Sequence, residues 1–412
     1  MKIKFRSYQK KIIEKARHIL QKYRFIYLAM EVRTGKTLTS LGIASACGFK
    51  NVVFLTKKKA IYSIQGDYEL LSPNYKFSVI NYESMHKLEI SRCDFLILDE
   101  AHGMGAFPKP SKRAKDVKAF INKYKCCVCL MSGTPTPESY SQMYHQVYGI
   151  PANPFNQFRN FYEFASQFVK VSRKKINSMY INDYSNGLIS IVRAMQPYTI
   201  NYTQKEAGFK NEINEEVLNV EMSPITYKLA KSLKRDLVVE GNDEIILADT
   251  PVKLMQKLHQ MYSGTIIFES GEAMVIDKTK AEFIKDNFKG KKIGIFYKFR
   301  AELKALMEVF GEDSLTTDIQ EFNSTDKSIA LQIVSGREGI SLKKADALVY
   351  YNIDFSATSY WQSRDRMTTK ERKSSKVYWI FSEGGIEEQI YKAVTKKKDY
   401  TINHFKKDLL SL

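Results

Sequence analysis

Long apolar runs are missing from this 412-residue chain. No stretch approaches the ~20 consecutive apolar residues that a helix needs to cross a bilayer. The opening Met1-Lys2-Ile3-Lys4-Phe5-Arg6 has basic residues but not the apolar core of a secretion signal. A cytoplasmic chain with no membrane partner is expected. Cysteine is scarce: five residues, Cys47, Cys93, Cys126, Cys127 and Cys129, all lie in the first third. An odd count builds no disulfide framework and fits a reducing compartment. The Cys126-Cys127-Val128-Cys129 cluster lacks a second ligand pair for zinc and sits in an apolar segment, so it reads as buried structural cysteine. Low-complexity tracts and short repeats are absent as well. Acidic residues fall short of basic ones, 45 against 64, which leaves a formal charge of +19. Such an excess favours a polyanion, and phosphate neutralisation is how proteins hold nucleic acid irrespective of its sequence.

What is present begins with Met30-Glu31-Val32-Arg33-Thr34-Gly35-Lys36-Thr37. An apolar run, Phe25-Ile26-Tyr27-Leu28-Ala29, precedes it, and a helix-like Leu38-Thr39-Ser40-Leu41-Gly42-Ile43-Ala44 follows. Strand, loop ending Gly-Lys-Thr, helix is the context of a phosphate-binding loop. There Gly35 permits the tight turn, neighbouring N–H groups point at a polyphosphate, and the helix dipole adds partial positive charge. Lys36 is expected to reach the β- and γ-phosphates and Thr37 to ligate Mg²⁺. Met30 stands where the first glycine of the common G-x-x-x-x-G-K-[ST] pattern would be.

Around this loop the chain alternates. Residues 10–22 form an amphipathic helix with Ile12, Ile13, Ala16, Ile19 and Leu20 on one face. Apolar strands at 51–55, 77–80, 95–98 and 126–131 each end in a polar cluster, as in a parallel sheet with ligands at the strands' carboxyl ends. The third ends in Asp99-Glu100-Ala101-His102. Nucleotide hydrolysis needs one carboxylate there to hold hydrated Mg²⁺ and a second to orient the attacking water. Asp99 fits the first role and Glu100 the second. An aromatic-rich stretch from 140 to 168 reads as core, and 151–280 as a largely helical insertion. A second α/β series starts at 292–296, with strands at 329–334, 347–352 and 376–381 and no second Gly-Lys-Thr. Such a lobe is expected to lend a charge to nucleotide bound against the first, an arginine being the usual device. Arg364 and Arg366 are the candidates.

Taken in order, these motifs resemble superfamily 2 helicases, most of all the Swi/Snf branch of DNA translocases and its compact phage-encoded members. The resemblance covers nearly the whole chain. Tyr8-Gln9 resembles the glutamine motif that reads adenine, and residues 31–37 resemble motif I, whose first glycine that branch often lacks. Thr56-Lys57 and Asn81-Tyr82-Glu83 sit where motifs Ia and Ib contact DNA. Asp99-Glu100-Ala101-His102 is similar to the DEAH-type motif II, and Ser132-Gly133-Thr134-Pro135 to motif III. Residues 295–299 resemble motif IV, 335–342 motif V and 362–366 motif VI.

The resemblance implies an α/β fold of two RecA-like parallel-sheet lobes, residues 1–150 and 281–412, with a mainly helical Swi/Snf-type insertion over 151–280. It implies an ATP-dependent DNA translocase or helicase using ATP and Mg²⁺. Lys36, Asp99, Glu100, Gln362 and Arg366 would be catalytic, with Thr37 and Asp99 on the metal. Tyr8, Gln9, Arg33, Thr34, Gly35, Lys36, Thr37 and Gly339 would bind nucleotide. Thr56, Lys57, Tyr82, Lys298, Ser335 and Arg337 would contact DNA; His102, Ser132 and Thr134 would couple hydrolysis to it. The expected partner is duplex or branched DNA without sequence preference, RNA being left open, with a nuclease or replication partner and a monomeric chain. The family's second motif VI arginine is Thr369 here, and the tryptophan common after motif Ia is missing. The rival readings are a nucleic-acid clamp with weak or lost hydrolysis and the motor subunit of a nuclease or restriction complex.

Overall fold

The computed structural model describes residues 4–176, 179–210, 212–240, 244–336, 340–369 and 372–396. The chain divides into two compact units, Met1–Phe209 and Lys210–Leu412. The fold is α/β, and each unit is built on its own six-stranded parallel sheet.

In the first unit the strands are β1 (Phe25–Met30), β2 (Asn51–Thr56), β3 (Lys76–Asn81), β4 (Phe95–Leu98), β5 (Cys127–Met131) and β6 (Thr199–Tyr202), in the spatial order β3-β2-β4-β5-β1-β6. This order, with β5 between the loop-bearing β1 and β4, is RecA-like. The central strands are nearly all apolar because a parallel sheet is covered on both faces. Phe25, Tyr27, Leu96, Leu98, Val128 and Leu130 fill the core on one side. Ile26, Leu28, Phe95, Ile97, Cys127 and Cys129 fill it on the other. All five cysteines are free thiols, and Cys126, Cys127 and Cys129 are buried, as their apolar setting requires.

Register decides where the site lies. Leu28 pairs with Met131, Leu98 with Leu130, and Leu55 with Leu98. The ends of β1, β2, β4 and β5 therefore meet at one edge. Helix α1 (Ser7–Tyr23) packs Ile12, Ile13, Ala16 and Leu20 inward, and α2 (Lys36–Ala46) springs from the loop after β1.

The second unit repeats the scheme with β7 (Glu212–Val220), β8 (Ile293–Tyr297), β9 (Leu315–Thr316), β10 (Ser328–Gln332), β11 (Ala347–Tyr350) and β12 (Ser374–Ser382), ordered β9-β10-β8-β11-β12-β7. Trp379 of β12 stacks on Tyr350 of β11 with ring centroids 3.8 Å apart. The stretch 151–280, expected as one mainly helical insertion, is shared between the units. Its β6 joins the first sheet and its β7 the second, and short antiparallel hairpins lie among its helices. Both are edge strands, with one side open to solvent, so they carry no continuous apolar run to reveal them. Among the described residues no helix is long and apolar enough to cross a membrane.

Candidate functional site

The loop after β1 is held from three sides. Gly35 has φ +80°, the left-handed region, and a Cβ there would come within 2.7 Å of Gln9 Nε2. Gln9 is buried: its Oε1 accepts the Arg6 N–H at 2.9 Å, while Nε2 donates to the Gly35 carbonyl and to Thr39 Oγ1, both at 3.3 Å. Tyr8 OH donates to the Thr34 carbonyl at 2.9 Å, and the Tyr8 ring stacks on Tyr202 at 4.7 Å. Beyond β6, the Gln204 N–H donates to Glu31 Oε2 at 2.7 Å and its Nε2 to the Val32 carbonyl at 3.1 Å. Gln204 lies far along the chain from the loop and in no motif, so no local pattern in the sequence marks it. Arg33, half-buried, has φ +63°. A non-glycine residue held in that region is a local cost, and such costs cluster at functional sites. Lys36 Nζ donates to the Met30 carbonyl at 3.0 Å.

Facing the loop, Asp99 and Glu100 follow β4. Asp99 Oδ2 accepts the Thr56 hydroxyl at 2.8 Å, and its carbonyl accepts Tyr82 OH at 2.7 Å. Thr56 and Tyr82, expected on DNA, are both buried and aimed at Asp99 instead. Thr56 ends β2 and Tyr82 opens the turn after β3, and there each side chain turns under the site rather than out of it. Lys57, next in the chain, is half-buried, and its charge acts on Glu100. Glu100 has φ +48°.

Burial and the adjacent Glu100 charge push the Asp99 carboxyl above the usual carboxylate range, against Lys36 and the Thr56 hydrogen bond. Burial also opposes charge on Glu100. There the close approach of the His102 ring and the positive charge of Lys36 and Lys57 outweigh it and hold the carboxyl low.

The third part of the site follows β5. His102 Nδ1 lies 3.1 Å from Glu100 Oε2 and 2.9 Å from Ser132 Oγ, and Ser132 Oγ accepts the Thr134 N–H at 3.0 Å. Thr134 Oγ1 is buried with no hydrogen-bond partner among the described residues. A Cβ on Gly133 would lie 3.3 Å from Lys36 Nζ and 3.4 Å from the Val32 nitrogen, so this turn runs directly beside the loop. The expected coupling residues are thus brought together with Glu100 and Lys36.

The arrangement can bind a polyphosphate and hold a water-orienting carboxylate beside it. No cluster of three or more His, Cys, Asp or Glu side chains suits a metal among the described residues. Magnesium is commonly held by one or two carboxylates together with substrate phosphates and water. Two adjacent half-buried carboxylates, one of them resisting ionisation, form a site whose charge a divalent cation would offset. Asp99, with half-buried Thr37 on α2, fits that donor set.

In the second unit Arg366 is buried; its guanidinium donates to the Ile340 carbonyl at 3.3 Å and its carbonyl accepts the Leu342 N–H. Arg364 is engaged by Glu215 Oε1 at 2.7 Å and lies 4.1 Å over the Trp361 ring. Glu215 also accepts from Tyr360 OH and Trp379 Nε1, both at 2.9 Å. Arg372 donates to the Ala345 carbonyl at 2.7 Å. Lys298 pairs with Asp354 at 2.7 Å and lies over the Phe355 ring. Arg337 and Gly339 lie outside the described residues, as do the side chains of Ser335 and Gln362.

Residues 2–84 match the family described as Type III restriction enzyme, res subunit. The human lymphoid-specific helicase is 24% identical over 257 residues, which cover 57% of this chain and 29% of that protein's length. Among solved structures, the Sulfolobus solfataricus SWI2/SNF2 ATPase core in complex with dsDNA aligns with a TM-score of 0.43 and 17% identity, covering 96% of this chain and 92% of that one. The same core domain without DNA gives 0.43 and 16%, over 96% and 89%. The sequence similarity is therefore helicase-like, at low identity and over part of the chain.

Proposed function

We propose that the chain is an ATP-dependent DNA translocase, hydrolysing ATP at the loop after β1 and tracking along the phosphate backbone. The observation that carries this reading is the meeting of Lys36, Asp99, Glu100 and the His102–Ser132 pair at one sheet edge. Lys36 and the N–H groups after Gly35 bind the triphosphate, and Thr37 and Asp99 hold its magnesium. The bound ion supplies charge neutralisation at the phosphate oxygens. Glu100, kept ionised by its surroundings, orients the attacking water. Tyr8 and Gln9 brace the loop from α1, so occupancy of the loop and the position of α1 are linked. In the second unit Arg366, with Gln362, is the residue offered for the developing γ-phosphate charge. Arg364 is the alternative that the sequence offers, and it is engaged by Glu215.

The +19 charge supports a nucleic-acid partner, and side chains such as Lys57 and Lys298 bind phosphate without reading bases. Low sequence preference and steep salt dependence follow.

The test is phosphate release by purified protein with and without duplex DNA, with Lys36→Ala and Glu100→Gln as controls. DNA is expected to raise the rate severalfold and both variants to remove it. Equal rates with and without DNA would count against translocation. Tight ATP-dependent DNA binding without phosphate release would favour the clamp reading.

A further inference from the structure

Beside the site, on the first unit, lies an open cleft of about 750 Å³ whose lining includes Tyr82, Glu83, Gly103, Lys112, Arg113 and Lys123. It sits between the turn after β3 and helix α3 (Lys112–Tyr124). Four contacts tie its wall to the carboxylate turn. The Arg113 guanidinium lies 4.6 Å over the Tyr82 ring and donates to Glu83 Oε1 at 2.6 Å. Arg113 also rests on Gly103, where a Cβ would stand 2.7 Å from its Nη1. Tyr82 in turn donates to the Asp99 carbonyl at 2.7 Å. One guanidinium on the cleft wall therefore touches both segments that frame Asp99.

We propose that this cleft takes the phosphodiester backbone of nucleic acid through Arg113, and that Tyr82 is the positioning residue that passes its occupancy to the Asp99 peptide. The inference rests on the ATPase reading above and deepens it. Lys112 and Lys123 add positive charge to the lining, against Asp116 and the already paired Glu83. The Glu83 carboxylate is well exposed, at 63% of its side chain. Arg113 is half-buried while its partner faces water, and a pair with one solvated member contributes little, so a backbone phosphate can replace Glu83 on Arg113. The guanidinium then moves off the Tyr82 ring, and the hydrogen bond beneath it shifts with the ring. Tyr82 is too buried to meet a strand itself, so its role is transmission.

The experiment measures duplex DNA affinity against salt, and ATP turnover with and without DNA, in the full chain and in Arg113→Gln, Arg113→Lys, Glu83→Gln and Tyr82→Phe. Arg113→Gln is expected to weaken DNA binding severalfold and reduce the salt slope by about one, with Arg113→Lys recovering the slope. Glu83→Gln should tighten DNA binding by releasing Arg113. Tyr82→Phe should leave DNA affinity and the KM for ATP in place, yet lower the ratio of DNA-stimulated to DNA-free turnover about tenfold. An unchanged salt slope in Arg113→Gln overturns the cleft assignment, whether or not the chain hydrolyses ATP. An unchanged turnover ratio in Tyr82→Phe overturns the transmission step. Competition by a poly-glutamate peptide that matches an oligonucleotide of equal charge would assign the cleft to acidic peptides and overturn it for nucleic acid. Absence of any turnover in the unaltered chain would instead remove the ATPase reading, leaving the binding arm to decide the cleft alone.

Discussion

His102 Nδ1 stands 2.9 Å from Ser132 Oγ, and the same nitrogen lies 3.1 Å from Glu100 Oε2. One imidazole thereby joins the end of β4 to the end of β5, and Ser132 is followed directly by the glycine that borders Lys36. If this link transmits DNA occupancy to the water-orienting carboxylate, breaking it should separate the two activities. Ser132→Ala removes the hydrogen bonds of its hydroxyl to His102 and to the Thr134 N–H; loss of the first, ~1.5 kcal/mol, is roughly tenfold in DNA-stimulated turnover. ATP affinity is expected to hold within about threefold. Equal losses in DNA-free and DNA-stimulated rates would show that the serine only supports the fold.

Gly35 answers two demands at once, a φ of +80° and the approach of Gln9 Nε2. Gly35→Ala should cost ~1–3 kcal/mol from backbone strain, together with the displaced Gln9 amide, and should remove nucleotide binding. In a Gln9→Ala background the steric part disappears while the backbone part remains. A thermal-denaturation double-mutant cycle should therefore give a coupling between the two sites. Strict additivity would mean that Gln9 yields without cost.

Arg33 offers the reverse case. A side chain at φ +63° costs ~1–2 kcal/mol, whereas glycine costs ~0.5–1 kcal/mol in chain entropy. Arg33→Gly should thus raise stability slightly, by roughly 0.5 kcal/mol on those figures. Nucleotide affinity should nonetheless fall if the guanidinium serves the phosphates. Calorimetric melting and nucleotide titration read the two effects separately; a gain in both would remove Arg33 from the binding set.

The strand–loop–helix around Lys36 and the Asp99-Glu100 pair after β4 were legible in the sequence. Central parallel strands must be apolar throughout, and their ends are polar only where something uses them. The edge strands β6 and β7 were not, because Thr199-Ile200-Asn201-Tyr202 and the alternating Glu212–Val220 bury only one side. The resemblance alone assigns Thr56 and Tyr82 to DNA, and a hydroxyl at a strand's end carries no sign of which way it points; the partner, Asp99, lies 43 and 17 residues away. The Glu215–Arg364 pair spans 149 residues. Single-sequence patterns report local periodicity, and nothing local links those two positions.

His145 is buried against the aromatic cluster of the first unit, and its Nδ1 meets the Ala106 carbonyl at 2.6 Å. Burial pushes its pKa down to about 4 from 6.5, against that hydrogen bond. Between those values the unfolded chain binds the proton and the folded chain does not, so stability falls as pH drops from 6.5 toward 4. The full contribution of such a shift is roughly 3 kcal/mol. His145→Gln, which can keep an N–H on the Ala106 carbonyl, should flatten the acid limb of a stability–pH curve. An unaltered limb would place the acid sensitivity elsewhere.

Lys280 and Glu387 form an ion pair at 2.8 Å with neither side chain exposed to solvent. They come from helices Thr279–Asn287 and Glu387–Val394, so the pair pins two elements of the second unit. Glu387 Oε2 has no hydrogen-bond partner among the described residues, which leaves the carboxylate dependent on the lysine. Lys280→Met strands a buried charge and should cost ~3–5 kcal/mol. Replacing both partners, with Lys280→Met and Glu387→Leu, removes the desolvation penalty along with the attraction. The double variant is expected within about 1 kcal/mol of the original in urea denaturation, since a packed apolar pair commonly matches a buried ionic one. A double variant as unstable as the single one would mean that the pair fixes the helix geometry through its charges, not merely that it neutralises them.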